Sequence, residues 1–147
     1  MINNTGEEQQ VLRLFDQLRE RISIDFVALA FQNVKGTDIT WRYAAGTSND
    51  KYKRITVRYG KGVAGKVILT GRPILVEEFP HNISGTVLDY PIMLAEKLVS
   101  VYAVPLFPSN HPKGVLLIGR RNKAIFTKKE QLDVQMFAED LESIIMI

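Results

Sequence analysis

Apolar residues recur at two periods along the chain, and the changes of period mark its elements. From Glu7 to Ser23 the residues Val11, Leu14, Phe15, Leu18 and Ile22 return every three or four positions, with Arg13, Asp16, Gln17, Arg19 and Glu20 between them. That spacing predicts an amphipathic helix with one buried face, preceded by a loose polar segment at residues 1–6. Asp25–Val34 is dense in aromatic and branched apolar residues and runs into a turn at Lys35-Gly36-Thr37-Asp38, so a strand and a return strand are expected. In the return strand, Asp38–Ala45, strict alternation puts Ile39, Trp41 and Tyr43 on one face and Thr40, Arg42 and Ala44 on the other. Trp41 therefore points inward.

The middle of the chain is built on GKGVAGKVILTGRPILV, Gly60 to Val76. A polar loop or helical turn at Gly46–Lys53 and a third strand at Arg54–Tyr59 lead into it. Glycines 60, 62 and 65 predict a tight turn feeding a short helix that ends at Thr70-Gly71, and Pro73 blocks its continuation before a short strand at Ile74–Val76. The amides of Val63 and Ala64 then become first-turn donors without a carbonyl behind them, a setting that suits a small anion. Glycines also serve such turns for geometry alone, and both readings stand here. The run is neither a GxGxxG fingerprint nor a Gly-Lys-Ser/Thr phosphate loop, which argues against a dinucleotide or triphosphate.

After a loop at Glu77–Gly85, Pro91 interrupts the apolar stretch Thr86–Leu98, so a loop around Asp89–Ile92 followed by a helical turn is expected. Val99–Phe107 and Val115–Gly119 read as adjacent strands of a hairpin joined through Pro108–Gly114, with Pro105 marking an edge or a bulge. Thr127 and Glu130 form a capping box with Phe126 before them, opening a last helix whose apolar stripe is Leu132, Phe137, Leu141, Ile144 and Ile145, with Met146 and Ile147 uncovered beyond it. Together these elements predict an α+β fold: a central, mainly antiparallel sheet with the N- and C-terminal helices on one face and the loops from Gly60 to Leu98 on the other.

Composition narrows the chemistry. The 147 residues are 46% hydrophobic, which suits one domain spanning 1–147. Net charge is only +3, with bases scattered among acids, so no nucleic-acid partner is expected. No stretch is long and apolar enough for a membrane span or signal peptide, and a cytoplasmic protein is expected. There is no cysteine, which removes thiol nucleophiles and cysteine-bound zinc. His81 and His111 stand far apart in proline-flanked loops without metal-ligand spacing, and Glu77-Glu78, if the extended backbone of Ile74–Val76 carries on through them, face opposite ways. No metal, cofactor or catalytic residue is expected.

The runs Gly60-Lys61-Gly62-Val63-Ala64-Gly65-Lys66-Val67, Arg72–Val76, Val99–Leu106 and Lys113–Ile118 before Phe126-Thr127 resemble a GAF domain, the small-molecule sensory module, over nearly the whole chain. With Trp41 in the second strand and Asp89-Tyr90-Pro91-Ile92 before the central strands, the chain is similar to the stand-alone nitrate receptors of that family. The resemblance implies a non-catalytic nitrate sensor that modulates the oxygen-responsive sensor histidine kinase of a two-component system. Nitrate is flat and weakly hydrated, so neutral donors in a half-apolar cavity can replace its water. The Val63 and Ala64 amides, the Ile92 amide, the Tyr90 hydroxyl and the Trp41 indole are the expected ligand-binding groups. Each has a plainer role as well: Trp41 as core, Ile92 as filler under a loop, Tyr90 as a loop tyrosine.

Of three rival functions, one is closed by composition and two remain open at this level. GAF proteins that reduce free methionine sulfoxide need cysteines, which are missing. A cyclic nucleotide or purine sensor would need a larger cavity. A ligand-free module that forms a homodimer through its terminal helices also fits the pattern.

Overall fold

The computed structural model describes residues 5–145. Met146, Ile147 and most of the segment expected to be loose lie outside these residues; Thr5 and Gly6, within it, are already helical. Helix α1 (Thr5–Arg21) starts two residues earlier than the apolar spacing suggests. Glu7 and Glu8 in its first turn and Arg19 and Arg21 in its last complement the helix dipole. Val11, Phe15 and Leu18 form its buried face, with Ile22 buried just beyond its end.

Six strands form one wholly antiparallel sheet in the order β3-β2-β1-β6-β5-β4, with β1 at Phe26–Gln32, β2 at Ile39–Ala45, β3 at Thr56–Val57, β4 at Ile74–Val76, β5 at Ser100–Leu106 and β6 at Gly114–Arg120. β3 keeps only two of the six residues expected, because a 3-10 turn at Lys51–Arg54 takes up the start of that run. β5 and β6 pair side by side along their full length, as the hairpin pattern predicts. Pro105 needs no ladder partner on its outer side, since β4 pairs only with Val101–Ala103.

The sheet separates two apolar layers of different grain. Against α1 and α4 (Lys128–Ile144) it presents Val27, Leu29, Phe31, Tyr102, Val104, Leu116 and Ile118. The opposite layer receives Phe26, Ala28, Ala30, Ala103, Val115 and Leu117, a surface lowered by alanines, and is covered by α2 (Gly62–Thr70) and α3 (Pro91–Ala95). The expected division of terminal helices from the Gly60–Leu98 region is the one found.

Three details differ from the sequence pattern. Tyr43 does not share a face with Ile39 and Trp41: Ala30 pairs with Trp41 and Leu29 with Tyr43, so Arg42 is an extra, bulged residue. The bulge sends the Arg42 guanidinium over the Phe31 ring, 4.2 Å from its centroid, and Tyr43 into the helix-side core. Leu132 on α4 lies exposed, and Val134, Phe137, Ala138 and Leu141 carry that helix's contact. In the Thr86–Leu98 stretch a 3-10 turn at Val87–Asp89 precedes an α-helix that begins at Pro91 itself, since a proline at the first helical position gives up only an amide that has no partner there.

The α4 cap forms as expected. Thr127 Oγ1 accepts from the Glu130 amide at 3.1 Å, and Glu130 accepts from the Thr127 amide at 2.9 Å. Burial pushes the Glu130 carboxyl up, but the Thr127 N–H and the Arg120 guanidinium, 2.8 Å away, outweigh it and hold its pKa below the usual value.

Candidate functional site

Trp41 projects from β2 onto the alanine-lined face, directly across from Ala30. Its ring is 4% exposed, and its indole Nε1 is buried with no hydrogen-bond partner among the described residues. An indole N–H sealed from water without an acceptor costs about 1–3 kcal/mol. Such an orphan marks a place where an acceptor belongs.

Two helix starts converge on the same apolar layer. α2 begins after the extended Lys61, and Val63 and Ala64 lie in its first turn, where an amide has no intrahelical acceptor. Gly62, at φ +64°, permits this turn: a Cβ there would stand 2.7 Å from the carbonyl oxygen of Asp89. The start of α2 therefore touches the backbone just ahead of α3. Tyr90 is the residue before α3, and Ile92 occupies the first turn of that helix.

All five expected ligand-binding residues, Trp41, Val63, Ala64, Tyr90 and Ile92, are at most 4% exposed and belong to one packed cluster with Phe26, Ala28, Ala30 and Met93. Their arrangement offers ring faces, one indole N–H without a partner among the described residues, and first-turn amides. One expected donor is differently engaged. The Tyr90 hydroxyl donates to the Ser84 carbonyl at 2.8 Å, so Tyr90 contributes its ring, stacked obliquely on Phe79 at 5.7 Å, more than its O–H.

Two residues escaped the sequence reading. Lys66 sits one turn into α2 and donates to the Tyr90 hydroxyl at 3.3 Å and to the Ser84 hydroxyl. Its place at i+3 from Val63 was the available signal. Glu96, fully buried at the end of α3, accepts from the Ser48 amide at 2.8 Å and from Arg121 Nη2 at 2.6 Å. Arg121 also donates to the Glu96 and Gly46 carbonyls, fastening α3 to the loop after β2. A lone glutamate beside Lys97 gave no hint of that burial.

His81 and His111 are exposed and apart, and among the described residues no group of three or more His, Asp or Glu side chains could hold a metal ion. Glu77 is exposed, and Glu78 pairs with Lys123 at 3.2 Å rather than with a second carboxylate. A surface cleft of about 500 Å³ lies elsewhere, between α4 and the outer end of β5, lined among others by Phe107, Gln135 and Glu142. None of the five clustered residues lines it, and it offers no orphaned donor, so its size alone does not make it the better site.

The family model of the GAF domain matches residues 4–146. Two solved structures of an NreA protein from Staphylococcus aureus, mutated in its nitrate-binding site, are similar to this chain. One is 34% identical, covers 86% of this chain and 94% of the other, and superposes with a TM-score of 0.78. The second is 33% identical over 88% and 98% of the two chains, with a TM-score of 0.75. A free methionine-R-sulfoxide reductase from Neisseria meningitidis shares the fold, at 20% identity over 91% of this chain and 76% of that one and a TM-score of 0.72. No curated protein matches the chain significantly in sequence.

Proposed function

The chain belongs to the GAF domain family, and from that membership we propose that it is a nitrate-binding sensory protein rather than an enzyme. The observation that carries the reading is the buried, unpartnered Trp41 indole N–H in the same packed layer as the first turns of α2 and α3. Nitrate would accept from that N–H and from the amides of Val63, Ala64 and Ile92, with the Trp41 and Tyr90 rings against its flat faces. A closed cluster of this kind suits a four-atom anion. A cyclic nucleotide or purine would need a cavity of about 300 Å³ or more, open enough for a base.

Likeness to the nitrate-site structures from Staphylococcus aureus supports the choice of ligand. The reductase neighbours do not transfer their chemistry, because this chain has no cysteine to act as nucleophile. In the proposed role the protein restrains the sensor histidine kinase of a two-component system when nitrate is absent, in the cytoplasm. Among the described residues no helix is long and apolar enough to cross a membrane. Nitrate would draw residues 90–92 toward the start of α2 and so alter the surface offered to the kinase. A homodimer through the terminal helices would use Leu132 and Met136, exposed one turn apart on α4.

Calorimetric titration with nitrate, against chloride, nitrite and a cyclic nucleotide, tests the ligand. Saturable heat selective for nitrate is expected. Heat with the nucleotide alone, or silence with all four, overturns the reading. Hydrogen exchange at residues 84–92 that is unchanged by saturating nitrate would remove the proposed loop movement.

A further inference from the structure

Lys66 interrupts the buried face of α2. Residues 62–65, 67 and 68 are all buried, while the Lys66 side chain is half-buried and reaches to the 84–90 segment. There its ammonium donates to the Ser84 and Tyr90 hydroxyls and stands 5.4 Å from the Tyr90 ring centroid. Tyr90 donates back to the Ser84 carbonyl. The first turns of α2 and the residue that opens α3 are thus tied across the outer side of the ligand cluster.

The charge of Lys66 is left uncompensated. Among the described residues no carboxylate forms an ion pair with it. A lysine drawn partly out of water ordinarily acquires an anionic partner, because desolvation penalises the charged form. Here its partners are neutral oxygens and a ring face, which solvate the ammonium without balancing it. Lys66 also lies at i+3 from Val63, on the flank of α2 that carries the free first-turn amides. The missing counter-charge and the unfilled donors therefore belong to one region.

We propose that Lys66, with Ser84 and Tyr90, forms a charged clasp over the anion site, and that Lys66 both favours an anion over a neutral ligand and slows its release. This rests on the nitrate reading of the cluster beneath it. The ammonium draws the anion to the site; once the anion is seated, its hold on Ser84 and Tyr90 keeps the mouth shut. Lys66 is a positioning residue in this account, acting on the ligand through Tyr90 and through its field.

The test is stopped-flow binding of nitrate, read by the fluorescence of Trp41, the single tryptophan of the chain. Wild type, Lys66→Met and Lys66→Arg are compared from about 20 mM to about 300 mM sodium fluoride, a range over which long-range charge is progressively screened. Met keeps the length of the stem and removes the charge. Lys66→Met is expected to release nitrate on the order of tenfold faster, as for the loss of a charge-assisted hydrogen bond, and to lose the salt dependence of association. Lys66→Arg should stay within about twofold of wild type, since the charge remains. A wild-type release rate with an unchanged salt slope in Lys66→Met overturns the proposal. Amide exchange at 84–90 without nitrate provides an independent reading. Should wild type not bind nitrate, the ligand assignment falls and exchange alone decides the clasp. Faster exchange in Lys66→Met supports it and unchanged exchange overturns it.

Discussion

Trp41 and Tyr43 lie on the same strand with one residue between them, yet they face opposite sides of the sheet. The bulge at Arg42 adds a residue to the count and so reverses the alternation. Trp41 enters the candidate ligand cluster, while the Tyr43 hydroxyl donates to the Glu7 carboxylate of α1 and Arg42 Nη1 stands 3.6 Å from the same carboxylate. Burial first, and then the Glu7 carboxylate, push the Tyr43 pKa up from 10.0 to about 12. A raised folded-state pKa contributes stability that is complete below about pH 10 and is lost as pH climbs toward 12. Tyr43→Phe is expected to cost about 1–2 kcal/mol at neutral pH and to flatten the decline. Urea midpoints across pH 8–12 check this, and parallel curves for the two proteins would contradict it.

The orphaned indole makes a separate prediction. Trp41→Phe removes the N–H and keeps an aromatic ring in the layer. Nitrate affinity should fall on the order of tenfold in calorimetry, while the ligand-free protein loses little stability, because the lost donor had no partner to forfeit. A large fall in melting temperature with unchanged affinity would return Trp41 to a core role.

Arg121 and Glu96 form a pair in which one partner is fully buried. Arg121→Met leaves that carboxylate uncompensated and is expected to cost about 3–5 kcal/mol. The double replacement Glu96→Met with Arg121→Met should be less destabilised than Arg121→Met alone. Additive losses in chemical denaturation would argue against the coupling.

Gly62 keeps α2 in touch with the segment ahead of α3. In Gly62→Ala the positive φ is strained and the new Cβ meets the Asp89 carbonyl, so the two segments must part. A loss of about 1–2 kcal/mol is expected, together with loss of the melting-temperature rise that saturating nitrate gives wild type. Thr127→Ala is the contrasting case. It should cost about 1 kcal/mol through the α4 cap and leave that nitrate-induced rise intact.

The parts of the structure governed by neighbours in sequence were legible. The Thr127–Glu130 cap, the end of α2 at Gly71 and the inward turn of Trp41 all follow from local rules. Features that depend on a partner strand or a distant loop were not. Alternation assigned Tyr43 to the wrong face because a bulge is a property of the pairing between β1 and β2, invisible in β2 alone. Leu132 fits a helical stripe but falls where no neighbour covers it. The five candidate residues come from three segments whose convergence was expected, whereas Lys66 and Glu96 have roles set by Ser84, Tyr90 and Arg121, far away along the chain. A plainer signal went unread: Val27, Leu29 and Phe31 alternate with Ala28 and Ala30, and that contrast in volume already separates the two sides of β1.

Both terminal strands of the sheet are short, and β3 covers only Ile39 and Thr40 of β2. β3 offers two residues, followed at once by Arg58 and preceded by Arg54 two positions earlier, and β4 offers three, entered from Pro73, while the part of β5 left uncovered carries Pro105. A margin this brief, bordered by cations and imino acids, gives an incoming strand too few free amides and carbonyls to grip. At these two strands the sheet resists being lengthened by another chain. A strand added at β3 or β4 would find few free backbone groups, so growth of the sheet in the manner of amyloid is disfavoured at these two ends.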